Sequence, residues 1–554
     1  MTAVCADCGT EAREGARFCD ACGSPIAPSP RPPEFKHVTV LFADVVRSMD
    51  IAAALGTERL REVMSALLSR SRAVVERYGG TVDFIGDGIM AIFGAPIALE
   101  DHAFRGCLAA MDIQEQARSL AVELRRRDDI QLQLRVGLNS GEVIAGEIGS
   151  SPGSYTAIGA HVGMAQRMES VAPPGGVMLS SSTTRLVEGV VELGELEMVR
   201  IKNVDQPVPA RRLLSTTPKS GRVRSQSTLV GRDGDVNVLL SYMDKSLGGD
   251  GAVVGVVGPP GIGKSRLVRE MVALGVERGV EVCSTFCEAH AREVPFHAAA
   301  RMFRDVIGVA DLRGQAARDR VRAHLPGADP EDLLLLDDLL AIANPETEPA
   351  AIGPDARRRR LTALLRSLAR AGPVMYVVED AQWIDEASES LIAEFLSVIR
   401  GTRALALITY RPEYRGELAH SASHTITLAP LDDSQSTALI TELLGTDPSV
   451  ATIGSEIAER AAGNPFFAEE IVRDQAERGV LCGQLGVYVW RGDAADTHVP
   501  ATLHATIAAR IDRLDDGAKR TLNAAAVIGA RFGEDVLEFL PLAERHAERT
   551  VARQ

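Results

Sequence analysis

The residues with the clearest chemistry form a glycine-rich segment at positions 258–265, which reads GPPGIGKS. This segment fits the pattern G-x-x-x-x-G-K-[ST], in which backbone N–H groups surround the phosphates of a nucleotide. Lys264 would neutralise charge on the β- and γ-phosphates, and the Ser265 hydroxyl would coordinate Mg²⁺. The candidate nucleotide-binding residues of this predicted loop are Gly258, Gly261, Gly263, Lys264 and Ser265.

Two adjacent acids are expected at the same site. The apolar stretch 374–378 predicts a buried strand that ends in Glu379 and Asp380, and the stretch 252–257 predicts another strand just before the glycine-rich loop. Strands that alternate with helix-like segments indicate α/β order. We expect Glu379 to bind magnesium through water and Asp380 to polarise the attacking water, although neighbouring acids can exchange these roles.

Arg411 follows a third predicted strand, at 404–409. Its guanidinium group could contact the γ-phosphate of a bound nucleotide. A solvated surface arginine is an equally good interpretation at this stage, so both stay open.

A separate pair of acids lies in the first half of the chain. Asp44 comes at the end of the apolar strand predicted at 38–42, and Asp87 lies in an Asp-Gly turn between two short apolar runs. Residues 57–78 predict a helix between them. Two such carboxylates can hold two Mg²⁺ or Mn²⁺ ions for in-line displacement at a phosphate, whereas either aspartate alone is most simply a turn residue.

Four cysteines form two pairs of identical spacing near the N-terminus: Cys5, Cys8, Cys19 and Cys22. Four thiolates match the tetrahedral preference of Zn²⁺. Two disulfides are disfavoured in a reducing compartment, and no thioredoxin-like pattern accompanies the pairs. The spacing therefore predicts a structural zinc site.

Size and charge limit the classes of protein to consider. A chain of 554 residues exceeds one hydrophobic core, so several domains are expected. The net charge of −15 opposes nonspecific binding to nucleic acid or to anionic lipid. Because neither a long apolar stretch nor a charged-then-apolar leader is found, we expect a cytoplasmic protein without a membrane span or a signal peptide.

The first half of the chain resembles a known enzyme family. The segments 135–143 (RVGLNSGEV) and 155–159 (YTAIG), together with the segments around Asp44 and Asp87, resemble the class III adenylate and guanylate cyclase domain across residues 35–212. The resemblance implies a ferredoxin-like domain that acts as a head-to-tail homodimer, with residues of both copies in each site. It also implies that Asp44 and Asp87 bind the catalytic metal ions.

The other functional positions of the cyclase family are only partly kept in this sequence. Arg167 falls where the family has the arginine that steadies the triphosphate, and Thr156 occupies one base-reading position. The base-reading lysine is replaced by Asp83, and the asparagine that orients the ribose is replaced by Gly163. A weak or altered cyclase and a degenerate regulatory domain both fit these substitutions.

The second half resembles the signal-transduction ATPases with numerous domains, a branch of the P-loop ATPases, across residues 228–535. The segments that carry this resemblance are the glycine-rich loop, 229–232 (LVGR) and 463–467 (GNPFF). It implies that Pro465 lies near the nucleotide and that ATP exchange or hydrolysis changes the arrangement of the following modules.

The sequence thus predicts a multidomain α/β protein. Its predicted segments are a zinc ribbon (1–25), a proline-rich linker (26–34), the cyclase-like domain (35–212), a second linker (213–227), the ATPase domain (228–425) and a helical, partly winged-helix region (426–554).

Two functions remain open. In the first, the chain converts ATP to cyclic AMP and pyrophosphate, as a phosphorus–oxygen lyase under the control of the ATPase. In the second, it is an ATP-driven switch or transcriptional regulator whose cyclase-like domain is catalytically degenerate. Nucleic acid is not an expected partner, because the chain is acidic and stops soon after residues 524–529.

Overall fold

The computed structural model describes residues 34–85, 88–147, 155–202, 206–216, 228–344, 352–368 and 372–491, with positions 8, 10, 20–22, 507, 508, 511, 512, 514, 518, 519 and 522. The chain divides into two compact units. Residues 1–224 and 501–554 form the first unit, and residues 225–500 form the second. The domain boundaries drawn from the sequence stay predictions.

The first unit is built on an eight-stranded sheet. Its strands are β1 (Glu34–Val45), β2 (Thr81–Ile85), β3 (Gly88–Phe93), β4 (Leu134–Glu147), β5 (Tyr155–Ile158), β6 (Val177–Ser180), β7 (Glu192–Val199) and β8 (Val208–Ser215). They lie in the order β2-β3-β1-β4-β6-β8-β7, and β5 pairs with β4. The central strand β1 is antiparallel to β3 and β4, and its register places Asp44 opposite Arg135.

Helices cover both faces of this sheet. They are α1 (Ser48–Leu55), α2 (Thr57–Arg77), α3 (His102–Asp128), α4 (Ala160–Val171) and α5 (Ser181–Val187). Leu41 of β1 packs in the core formed with α2 and α3, whereas its neighbour Val40 faces the core that contains Ala165 of α4. Because successive side chains of a strand point to opposite faces, a strand buried on both sides is apolar throughout. This explains why the buried middle of β1, residues 38–43, is apolar apart from Thr39.

Helix α4 lies unusually close to β4. A Cβ atom on Gly137 would be only 1.9 Å from the backbone nitrogen of Glu169. The absence of a side chain at Gly137 therefore allows the last turn of α4 to lie directly on the strand. This contact places Glu169 near Asp44.

The helix predicted at 57–78 is confirmed as α2, in which Val63, Leu67 and Val74 are buried.

Far along the chain, Asp512 also belongs to the first unit. Its carboxylate accepts hydrogen bonds from the Lys36 ammonium group and from the Ala98 backbone N–H, each at 2.8 Å.

The second unit is built on a five-stranded parallel sheet. Its strands are β9 (Ala252–Val257), β10 (Glu281–Phe286), β11 (Val374–Glu379), β12 (Ala404–Tyr410) and β13 (His424–Thr427). They lie in the order β10-β11-β12-β9-β13. In such sheets ligands bind outside the carboxyl ends of the strands. The predicted strands at 252–257, 374–378 and 404–409 are confirmed as β9, β11 and β12.

Helices also cover both faces of the second sheet. The helices that precede and alternate with its strands are α6 (Asp233–Leu247), α7 (Lys264–Glu277), α8 (His297–Ile307), α9 (Gly314–His324), α10 (Pro330–Leu339), α11 (Pro354–Ser367), α12 (Glu386–Leu396) and α13 (Glu417–Ser421). Met271 of α7 packs on one face of the sheet, and Phe303 of α8 and Phe395 of α12 pack on the other.

A small helical part follows the sheet. It contains α14 (Asp433–Leu444), α15 (Ala451–Ala461), α16 (Pro465–Glu477) and a two-stranded pair, β14 (Leu481–Cys482) and β15 (Val489–Trp490). Among its described residues, the second unit also has three short 3₁₀ helices, at Ala289–Ala291, Ala381–Trp383 and Pro448–Val450.

Candidate active sites

The predicted phosphate-binding loop connects β9 to α7. Gly261 and Gly263 have φ angles of 79° and 103°, conformations that strain residues with a Cβ atom. Helix α7 begins at Lys264, directly after Gly263. Because the first turn of a helix presents unpaired backbone N–H groups, this end of α7 favours a phosphate.

Lys264 lies inside the loop, and only 7% of its surface is exposed. Its Nζ atom donates to the carbonyl oxygen of Gly258 at 2.7 Å and to that of Pro259 at 3.1 Å. The loop itself therefore holds the cation at the start of α7, within reach of a phosphate bound there.

The acidic pair lies beside Ser265. The Ser265 hydroxyl is hydrogen-bonded to the Glu379 carboxylate at the end of β11. Burial raises the pKa of Glu379, the Ser265 hydrogen bond opposes that shift, and the neighbouring charge of Asp380 adds to it. Glu379 and Ser265 thus present hydroxyl and carboxylate oxygens side by side.

Gln382 connects Asp380 to Arg411. Its side-chain amide donates to an Asp380 carboxylate oxygen at 3.0 Å and accepts from the Arg411 backbone N–H at 3.2 Å. The Asp380 backbone N–H donates to Thr409 Oγ1 at 2.9 Å. The Arg411 guanidinium lies 5.4 Å from the centre of the Trp383 ring and is 7% exposed. Arg411 is therefore not a solvated surface residue, and the structure brings it to the same sheet edge as the acids.

The segment 463–467 contacts the phosphate-binding loop directly. The Asn464 amide donates to the Pro260 carbonyl oxygen at 3.0 Å, and the Phe466 backbone N–H donates to that of Gly261 at 3.3 Å. Pro465, between them, is the first residue of α16. Pro465 consequently lies beside the loop.

Arg232, in the segment 229–232, fixes the other side of the loop. This arginine is 6% exposed, and it donates to the carbonyl oxygens of Ile262 at 3.1 Å and Ala429 at 2.8 Å. Burial lowers the pKa of Arg232, and the charge of Asp235 opposes this shift. Both sequence segments outside the loop therefore contribute hydrogen bonds that shape it.

In the first unit, Asp44 lines a cavity of about 240 Å³ at the end of β1. Arg47, Arg135 and Glu169 line the same cavity. Burial, reinforced by the negative charge of Asp44, raises the pKa of Glu169 to about 7, and the Arg135 charge acts in the opposite direction. Two carboxylates and two arginines thus share one polar cavity.

The remaining positions of this site are placed on three elements. Asp83 lies on β2 and Thr156 on β5, and these two strands contact each other. Arg167 and Gly163 lie on α4. Asp87 lies outside the described residues, so its expected pairing with Asp44 stays a prediction.

Comparison with protein families assigns the parts of the chain. The adenylate and guanylate cyclase catalytic domain matches residues 31–208, the AAA ATPase domain matches 228–408, and the zinc-ribbon domain matches 4–26. The chain is a class III cyclase domain fused to a P-loop ATPase domain, with an N-terminal zinc ribbon. These matches confirm the multidomain α/β fold and the presence of the two predicted enzyme-type domains. A domain of unknown function matches residues 432–481.

Several individual proteins are similar to parts of this cyclase–ATPase chain. An uncharacterised protein of Rhizobium meliloti is 28% identical over 471 residues, which are 81% of this chain and 45% of that protein. The guanylate cyclase soluble subunit beta-2 of Rattus norvegicus is 31% identical over 172 residues, 30% of this chain and 24% of that subunit. The chain therefore spans less than half the length of these relatives.

Solved cyclase structures also match. The guanylate cyclase domain of RhGC from Catenaria anguillulae, in complex with GTP, is 26% identical and has a TM-score of 0.30; the match covers 33% of this chain and 100% of that chain.

The oxygen-rich groups of the ATPase domain suit a divalent cation. Mg²⁺ prefers oxygen ligands, and Ser265 and Glu379 place a hydroxyl and a carboxylate against each other. In the cyclase domain, the carboxylates of Asp44 and Glu169 have the same chemical character.

Of the expected zinc ligands, Cys8 and Cys22 are exposed, and Cys5 and Cys19 lie outside the described residues. No helix among the described residues is long and apolar enough to cross a membrane.

Sequence reasoning missed four residues of these sites. Gln382, Asn464 and Arg232 organise the ATPase site, and Glu169 lines the cyclase cavity. Asn464 and Arg232 lie in segments that the family resemblance had selected, so their polar side chains were the available signal. No spacing pattern distinguished Gln382 or Glu169.

Proposed function

We propose that the cyclase domain converts ATP to cyclic AMP and pyrophosphate at a low rate, and that the ATPase domain binds and hydrolyses ATP to control it. The cavity that joins Asp44 to Arg135 and Glu169 carries this proposal. A carboxylate at the end of a buried strand, inside a polar cavity, suits a metal-assisted reaction at a phosphate.

Two divalent ions held by Asp44 and Asp87 would supply charge stabilisation at the reacting phosphate. Arg167 would bind the triphosphate, and Thr156 would contact the base. Asp44 lies on β1 and Arg167 on α4, and, as the family resemblance implies, a second copy of the chain would complete each site. The proposed partner for this reaction is thus a second copy of the chain, in a homodimer.

In the ATPase domain, the roles follow from position. Lys264 and the start of α7 would bind the β- and γ-phosphates, and Ser265 and Glu379 would hold magnesium. Asp380, oriented by Gln382, would polarise the attacking water, and Arg411 would contact the γ-phosphate. Asn464 and Pro465 support the proposal that the helical part responds to nucleotide, since their segment bonds to the loop.

Two substitutions favour a second candidate, an ATP-driven switch whose cyclase domain is catalytically degenerate. Gly163 has no side chain to orient the ribose, and Asp83 replaces the base-reading lysine. Losing one positioning group typically costs about 10²–10³ in rate. Two losses in one site would leave nucleotide binding and dimerisation as the remaining functions of the domain.

A single assay separates the two candidates. Purified full-length chain is incubated with Mn²⁺ and either ATP or GTP, and cyclic nucleotide is quantified against an Asp44→Asn variant. Cyclic AMP above the level of that variant supports the cyclase. Cyclic GMP alone would correct the substrate, and no product from either nucleotide would leave the switch as the function.

A further inference from the structure

The ATPase domain contains a groove outside the phosphate-binding site. Its volume is about 840 Å³, and its lining comes from α8, α9, α10, α11 and the segments next to them. Small-molecule sites typically enclose about 300–1,000 Å³. Apolar side chains form much of the wall, including Val294, Phe296, Ala300, Leu340, Ile342 and Leu361.

The charged residues of this groove are mostly cationic. Arg301, Arg304, Arg313, Arg357 and His297 line it, against one acid, Asp338. This local excess contrasts with the net charge of −15 for the whole chain.

Two of these arginines are already neutralised. Arg357 is paired with Asp338. Arg301 donates to the Glu288 carboxylate at 3.1 Å, and His297 lies 3.3 Å from the same carboxylate. Their charges are therefore compensated within the domain.

Arg304 and Arg313 are not compensated in this way. The Arg304 guanidinium donates to the carbonyl oxygens of Leu340 at 2.8 Å, Val309 at 2.9 Å and Leu312 at 2.8 Å, which carry no net charge. Burial lowers the pKa of Arg304, and the positive charge of Arg313 lowers it further. Arg313 is exposed and makes no hydrogen bond or ion pair with any described residue. Among the described residues, the groove therefore has two positive charges without a compensating acid.

The backbone of the groove wall is held in unfavourable conformations. Phe296 and Ala341 have φ angles of 63° and 52°, which cost residues with a Cβ atom free energy and persist only where the surroundings impose them. At Phe296 the constraint is visible, since its backbone N–H donates to the Asp385 carboxylate at 2.8 Å.

Asp385 also connects this wall to the ATP site. It is 3% exposed, and it caps helix α12 by accepting from the Ser388 backbone N–H at 2.8 Å. The short helix Ala381–Trp383 separates it from Asp380 and contains Gln382. A movement of Phe296 would therefore be transmitted to Glu379 and Asp380 through the buried carboxylate of Asp385.

We propose that this groove binds a small organic anion with an apolar body, and that its occupancy changes the affinity of the ATPase domain for ATP. The apolar wall takes the body of the ligand, and Arg304 and Arg313 take its carboxylate or phosphate group. The site would make the domain responsive to a small anionic effector.

Binding is tested on the full-length chain with three probes: phenylbutyrate, phenyl phosphate and phenylbutylamine. Calorimetry is performed with excess ADP, so that phenyl phosphate does not compete for the phosphate-binding loop. We expect at least one anion to bind about tenfold or more tightly than the amine, because the amine meets uncompensated arginines. The anion that binds identifies a carboxylate or a phosphate as the preferred group.

Matched charge reversals locate the site. Arg313→Glu should weaken binding of the anion by roughly tenfold. Arg320→Glu changes an exposed arginine on α9, the helix that begins just after Arg313, but outside the groove lining, and should change the affinity by less than about twofold. Arg313→Ala repeats the test without reversing the charge if the glutamate variant unfolds. Absence of binding by both anions, equal binding of the amine, or equal losses in both reversals overturns the site.

The effect on ATP is measured separately, without ADP. Saturating phenylbutyrate, or phenyl phosphate if that is the anion that binds, should change the ATP dissociation constant of the wild type by about threefold or more and that of Arg313→Glu much less. If the anion leaves the ATP dissociation constant of the wild type unchanged, the link between the groove and the ATP site is overturned.

Discussion

The Nη1 atom of Arg167 lies 3.8 Å from the position that a Cβ atom on Gly163 would occupy. This is an ordinary van der Waals separation, and outside the adjacent residues and the backbone of α4 itself, no other heavy atom of the described residues lies within 4 Å of that position. The α4 helix therefore has room for a side chain at the position where the cyclase family has its ribose-orienting asparagine.

The first prediction is a gain of activity. Gly163→Asn should raise cyclic nucleotide formation roughly tenfold or more, because a positioning group of this kind is worth about 10²–10³ in rate. The replacement should not destabilise α4, since glycine is a poorer helix former than asparagine. The measurement is initial rate with Mn²⁺ and ATP.

Gly163→Ala is the matched control, because it adds the Cβ atom and the helix propensity without the amide. It should leave the rate close to that of the wild type. An equal increase in both variants would assign the effect to helix stability, and a folded Gly163→Asn variant without any increase would contradict the ribose role.

The second prediction concerns Lys264. Its Nζ atom is held by two loop carbonyl oxygens at the start of α7, so Lys264→Ala removes the cation that we assign to both the β- and the γ-phosphate. ATP should bind at least about tenfold more weakly, since a charged hydrogen bond contributes on the order of 1.5–3 kcal/mol. Equilibrium binding of a fluorescent ATP analogue measures the change.

Lys245→Ala provides a control for loss of positive charge, because Lys245 is exposed on α6 and contacts Tyr242 rather than the loop. Its affinity for the analogue should equal that of the wild type. If Lys264→Ala also binds the analogue normally, the loop is not the nucleotide site.

The third prediction tests whether the segment 463–467 acts on the loop. Asn464→Ala removes the bond to Pro260 and the cap on Phe466. A lost cap costs about 1 kcal/mol, but the loop should also hold ATP less well. We expect a lower melting temperature and a smaller increase of that temperature on adding ATP.

Asp447→Ala separates these two effects. Asp447 caps the short helix Pro448–Val450 by accepting from the Ser449 backbone N–H at 2.9 Å. The Asp447→Ala substitution should lower the melting temperature, but adding ATP should still raise that temperature by the full wild-type amount. An identical response of the two variants would mean that Asn464 stabilises α16 without affecting nucleotide.

The parts of the candidate ATP site that were predictable from sequence are local. The loop pattern lies within eight consecutive residues, and an apolar strand that ends in Glu379 and Asp380 is visible without any partner. Parallel strands place such ends at one edge of a sheet. The main residues could therefore be assigned to one site before the structure was known.

The rest depends on contacts between distant segments. Asn464 reaches Pro260 across 204 positions, and the choice between a solvated and a buried Arg411 depended on how Gln382 and Trp383 fold beside β12. Glu169 reaches Asp44 because Gly137 lets α4 lie on β4. Strand register and close helix contact are not encoded in any short pattern, so these residues required the structure.

The last prediction concerns a buried histidine in the cyclase domain. His102, the first residue of α3, is 1% exposed. Its Nδ1 atom lies 2.7 Å from Thr39 Oγ1, which also lies 2.7 Å from Ser140 Oγ. Burial, with a smaller contribution from the charge of His37, lowers the pKa of His102 to about 3. The neutral imidazole therefore belongs to a buried polar network that joins α3 to β1 and β4.

Because the pKa of His102 is lowered on folding, its stabilising contribution is complete above the unfolded value near 6.5 and falls as pH decreases toward 3. Titration of His102 can lower the free energy of unfolding by at most about 1.4 kcal/mol per pH unit. Hydrogen exchange of peptides from β1 and α3, corrected for the intrinsic rate, should therefore show weaker protection at pH 5 than at pH 7. His102→Gln, which cannot titrate, should lose much of this difference, whereas His161→Gln, at an exposed position, should keep it. Equal pH dependence in the wild type and His102→Gln would show that other groups cause the acid sensitivity.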